Sequence, residues 1–86
     1  MWTVKLEDDA RKAFKRLDKR LQSQILAKLR ELEQAPDPGV FAKPLMYDLK
    51  GLWRLRVGSH RVIFRMNNAV LLILVIDIGR RDSVYD

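Results

Sequence analysis

Hydrophobic and polar positions alternate at the start of the chain, where Trp2, Val4 and Leu6 are separated by Thr3 and Lys5. That period of two predicts a strand with one buried face. From Asp8 the period changes: Ala10, Ala13, Phe14 and Leu17 recur at i, i+3, i+4 and i+7, one helical face, with Asp8 or Asp9 placed to cap it. Asp18 offers a carboxylate to the open amides of a second helix, whose apolar stripe is Leu21, Ile25, Leu29 and Leu32 and whose end falls near Gln34. The pattern predicts a helical hairpin, with a single long helix as the alternative because no Gly or Pro interrupts it. The stretch Ala35-Pro36-Asp37-Pro38-Gly39 ends it, since each proline lacks a donor and restricts the residue before it, and it reads as a crossover loop.

From Leu52 the period returns to two. Segments 52–57, 60–66 and 69–78 are separated by Gly58-Ser59 and Asn67-Asn68, pairs that suit two-residue hairpin turns because Gly and Asn tolerate positive φ. A two-residue turn at Gly58-Ser59 fixes a register: Val57 opposite His60, Arg56 opposite Arg61, Leu55 opposite Val62 and Arg54 opposite Ile63. Arg54, Arg56, Arg61 and Arg65 then share one face, and Trp53, Leu55, Val57, Val62 and Phe64 share the other, facing the helices. The continuous apolar run Ala69 to Ile76 reads as a central strand covered on both faces. The expected fold is α+β: an N-terminal strand, a helical hairpin and an antiparallel three-stranded meander, with the helices packed on one face of a curved sheet.

Eighty-six residues limit this to one domain spanning 1–86. With 48% apolar and 33% charged residues the chain is of the folding, globular type. Its net charge of +6 favours a polyanionic partner over a neutral metabolite. That charge is uneven: residues 1–49 hold ten basic and eight acidic groups, and residues 50–86 hold seven and three. No acid lies between Asp48 and Asp77, the interval that contains Lys50, Arg54, Arg56, Arg61 and Arg65. Like charges opposite one another destabilise a strand pair, so Arg56 beside Arg61 calls for a compensating anion. A second cluster, Gly79-Arg80-Arg81 with Tyr85 beyond it, follows the last strand, where Gly79 is read as ending the ladder. The end of that strand should lie beside the Gly58-Ser59 turn, which joins the two clusters.

Other chemistry has little support. The absence of cysteine removes thiolate metal sites and a Cys nucleophile, and one histidine makes zinc improbable, so no metal and no cofactor is expected. His60 reads as a packed or partly exposed residue at the edge of the inner face, and Trp2 and Trp53 as core. There is no phosphate-binding Gly-rich loop or nucleophile elbow. No apolar run approaches the roughly 18 to 20 residues of a membrane span, and no signal peptide is visible, so the expected location is cytoplasmic with no membrane partner.

Together, Leu49-Lys50-Gly51, Leu52-Trp53-Arg54-Leu55-Arg56-Val57-Gly58, His60-Arg61-Val62-Ile63-Phe64, Ile78-Gly79-Arg80-Arg81 and Val84-Tyr85 resemble the RelE/ParE superfamily of type II toxins, and within it the RelE branch of ribosome-dependent mRNA endonucleases. The resemblance covers essentially the whole chain. It implies that Arg61 and Arg81 hold the scissile phosphate and that Tyr85 stacks on or orients a nucleotide. It also implies that Arg54 and Arg56 stand where relatives often carry lysine; Lys50, Arg65 and Arg80, from the same basic clusters, are expected to contact substrate. An arginine stays protonated and is a poor base, so this departure shifts weight to electrostatic catalysis. The implied partners are a RelB-like cognate antitoxin, the ribosome and mRNA. Two rivals accompany this reading: a ParE-type gyrase poison without nuclease activity, and a non-enzymatic binding module such as a decayed toxin.

Overall fold

The computed structural model describes residues 1–80. Strand β1 (Thr3–Leu6) leads into helix α1 (Asp8–Lys15) and helix α2 (Lys19–Gln34). A 3-10 turn (Pro38–Phe41), the two-residue strand β2 (Lys43–Pro44) and a second 3-10 turn (Tyr47–Leu49) follow, then β3 (Trp53–Val57), β4 (His60–Asn67) and β5 (Leu72–Arg80). The five strands form one sheet in the order β1-β5-β4-β3-β2. Strand β1 runs parallel to β5, and the other neighbours are antiparallel. A parallel pair needs a long crossover, and the helical hairpin begins that connection.

The helix boundaries follow from local chemistry. Asp18 caps α2, its Oδ1 accepting from the Leu21 N–H at 2.8 Å, as the sequence predicts. Helix α1 differs: Glu7 occupies the cap position without a side-chain bond, and Asp8 and Asp9 fall in the first turn, where their charge complements the helix dipole. Ile25, Leu29 and Leu32 of α2 pack with Leu55, Val57, Val62, Phe64, Ile73, Val75 and Ile78 of the sheet. Each such side chain contributes about 1.5–3 kcal/mol when fully buried. This is the core that the two periods predict.

The β3–β4 hairpin has the expected register at all four predicted pairs, and Gly58 supplies φ +58 in its turn. The next connection does not match. Asn67 pairs directly with Leu72, so a four-residue loop over 68–71 replaces the two-residue turn at Asn67-Asn68. Asn67 Oδ1 accepts from the Ala69 N–H at 3.0 Å, a side-chain turn that competes with the tighter hairpin. The apolar run is correspondingly not all strand: Val70 is 65% exposed, and Leu71 adopts a left-handed φ of 52°. Farther along, Ile63 pairs with Asp77 and Phe64 with Val75, a bulge at Ile76 that bends the sheet.

Candidate functional site

Strand alternation and register determine which side chains share the face of the sheet turned away from the helices. Arg54 pairs with Ile63 and Arg56 with Arg61, so Arg54, Arg56, Arg61 and Arg65 lie on this one face. The strand pairings add two residues that the sequence reading missed. Lys43 pairs with Arg54, and Lys5 pairs with Leu74, itself opposite Arg65. The face therefore carries basic residues from β1, β2, β3 and β4. No local pattern marks Lys43, because a two-residue strand ending in proline has no periodicity to read.

Asp77 modifies the picture of an uninterrupted cationic surface. It is opposite Ile63, on the same face, and is the only acidic residue in the described strands. Arg61 Nη2 donates to Asp77 Oδ2 at 3.1 Å. The Arg61 side chain is 2% exposed, whereas that of Asp77 is 34% exposed. Arg61 thus sits beneath the surface, while Arg56 across from it is exposed. Gly79 pairs with Arg61 and makes the space for it: a Cβ at position 79 would meet Nη1 and lie 3.2 Å from Cζ of that guanidinium. Gly79 is thus inside β5, which continues to Arg80, rather than the residue that ends the ladder.

The remaining candidates separate. Arg65 is exposed and its Nη1 comes within 3.8 Å of the Cβ position of Gly51, which brings Arg65 beside the Lys50-Gly51 turn. Arg65 also borders a depression of about 420 Å³ with Asn67, Leu72 and Leu74. Four residues along a strand at about 3.3 Å each place it roughly 13 Å from Arg61. Arg80 pairs with His60 and so falls on the helix-facing side, off the arginine face. That pairing does place the end of β5 beside the Gly58-Ser59 turn, as expected. Arg81 and Tyr85 lie outside the described residues. His60 is half-buried with Nδ1 3.0 Å from Ser59 Oγ. Among the described residues no group of His, Asp and Glu is arranged to hold a metal ion, and no helix is long and apolar enough to cross a membrane.

A sheet covered by helices on one face and lined with arginines on the other defines a small α+β protein with a cationic sheet face. The chain belongs to the ParE toxin family of type II toxin–antitoxin systems, whose model matches residues 1–85. It is a toxin of the RelE/ParE superfamily, as its motifs predict. A comparison with curated proteins finds no match. Its fold is similar to that of the RelBE toxin–antitoxin complex of Mycobacterium tuberculosis, with a TM-score of 0.84 at 22% identity over 95% of this chain and 93% of that one. It is also similar to a chain of the RelE–RelB complex of Pyrococcus horikoshii OT3, with a TM-score of 0.75 at 28% identity over 96% and 98%. A YoeB/ParE toxin from Agrobacterium tumefaciens gives 0.75 at 21% identity over 94% and 99%.

Proposed function

We propose that this toxin is a metal-independent endoribonuclease that cleaves mRNA on the ribosome and so inhibits translation, and that a RelB-like antitoxin neutralises it. The observation that carries this reading is the cationic face, where Arg54, Arg56 and Arg61 neighbour one another on β3 and β4, Lys43 lies beside Arg54, and Arg65 lies farther along β4. In the reaction, a ribose 2′-oxygen forms a bond to the adjacent phosphorus while the bond to the 5′-oxygen breaks. The 2′-hydroxyl loses its proton and the departing 5′-oxygen gains one, giving a cyclic phosphate and a free 5′-hydroxyl. Negative charge grows on the phosphoryl oxygens, and guanidiniums stabilise it with paired donors. In this reading Arg56, exposed and directly opposite Arg61, makes the first contact. A face without an evident general base fits a reaction in which the ribosome positions the message, because alignment alone can supply about 7–11 kcal/mol of a barrier.

The experiment is mapping of mRNA cleavage on translating ribosomes. Wild type should cut at defined codon positions, and Arg61→Ala and Arg81→Ala should each lose both cleavage and growth arrest while remaining folded. Full toxicity in both variants would remove these arginines from the site. The match to the ParE toxin model favours a second reading, poisoning of DNA gyrase without nuclease activity. Inhibited supercoiling together with intact message would select that reading.

A further inference from the structure

We infer that Asp77 is a resident anion on Arg61, and that a phosphate group of the nucleic-acid substrate replaces its carboxylate. This rests on the proposed reading of the face as a phosphate-binding surface, and it adds a residue which that reading does not use. Burying a guanidinium without an anion is strongly unfavourable, because its lost hydration is not replaced. Arg61, 2% exposed, therefore needs a negative partner whenever substrate is absent, and Asp77 Oδ2 provides one at 3.1 Å. Asp77 is itself 34% exposed and is thus the member of the pair that solvent reaches. The Arg61 side chain lies over Gly79, where no Cβ intervenes, so the backbone leaves the guanidinium room to stay beneath its anion as that anion changes.

Exchange of a carboxylate for a phosphodiester conserves charge at Arg61. It leaves the displaced Asp77 to water, at small cost for a group already partly exposed. It also accounts for the pairing of Arg56 with Arg61: these like charges across the strands are tolerated because an anion is always present, Asp77 in the resting state and phosphate in the bound state. Asp77 acts through Arg61, as a positioning and competing residue.

The test is binding of a fluorescent single-stranded RNA oligonucleotide to full-length wild type, Asp77→Asn, Arg61→Met and the double variant, at several salt concentrations. Asp77→Asn should bind about tenfold more tightly, the affinity released when a competitor worth about 1.4 kcal/mol is removed. The gain should vanish in the Arg61→Met background, and Asp77→Glu should stay near wild type. Asp9→Asn, which removes an equal charge from the exposed first turn of α1, controls for net charge and should change affinity less than about twofold. A gain that persists without Arg61, or one no larger than the Asp9→Asn control, overturns the inference.

A second measurement on wild type decides the matter if Asp77→Asn does not fold: titration with inorganic phosphate, followed through the Arg61 Nε–H and Asp77 carboxyl resonances. Concerted shifts support exchange, and a response confined to Arg56 overturns it. The nuclease reading fails separately. If the Arg61-dependent gain is observed but no protein cuts ribosome-bound message, exchange stands and nuclease activity falls.

Discussion

Arg61 illustrates how one residue's neighbours alter its meaning. By its position after the Gly58-Ser59 turn it reads as a surface cation, and the register places it on the expected face. What the linear pattern does not show is depth. The guanidinium is 2% exposed, with Asp77, sixteen residues away, accepting from it and Gly79 directly opposite leaving it room. Gly79→Ala should therefore disturb Arg61 before it disturbs the backbone. The added methyl meets a guanidinium fixed by an ion pair, and overpacking of this kind costs about 1–3 kcal/mol. Urea denaturation should show that loss, and an unchanged midpoint would mean that Arg61 moves aside freely.

At the level of elements, the helices and the first hairpin are legible because their signals are local. Asp18→Ala removes the acceptor for the Leu21 N–H and should destabilise the protein by about 1 kcal/mol, measured as a lower thermal or urea midpoint. The edge of β1 depends on a contact no local pattern announces. The Trp2 N–H donates to the Glu33 carbonyl at 2.8 Å, and the Val4 N–H donates to Glu33 Oε2 at 3.0 Å, so the end of α2 occupies the edge that another strand would otherwise pair with. Glu33→Ala should speed hydrogen exchange at the Val4 amide and lower stability by about 1–2 kcal/mol, whereas Glu33→Gln retains an acceptor and should be milder. Protection at Val4 unchanged in the alanine variant would count against this. The Asn67 loop departs from the two-residue pattern because the same residue type that permits a tight turn also bonds nearby backbone, as it does to Ala69.

Across the whole molecule, the net charge of +6 becomes a directed field only once strands are ordered. The pairing of β2 with β3 brings Lys43 beside Arg54 and extends the cationic face to the sheet edge. Lys43→Ala should weaken RNA binding broadly across sequences and reduce the salt dependence of log K by about 0.7, the share of one phosphate contact on a single strand. Binding measured between 50 and 200 mM salt checks this, and an unaltered slope would exclude Lys43 from the interface.

Local sequence is enough to set the secondary elements that rest on periodicity and capping, the β3–β4 register, the side of the sheet that faces the helices and the family. These depend on residues close together in the chain, where spacing translates directly into geometry. Long-range packing sets the rest: that β1 joins β5, that Lys5 and Lys43 reach the arginine face, that Arg80 leaves it, and that Asp77 and Gly79 come to lie against Arg61. Each of those outcomes is set by long-range pairing, in which burial and charge depend on what the rest of the chain brings alongside.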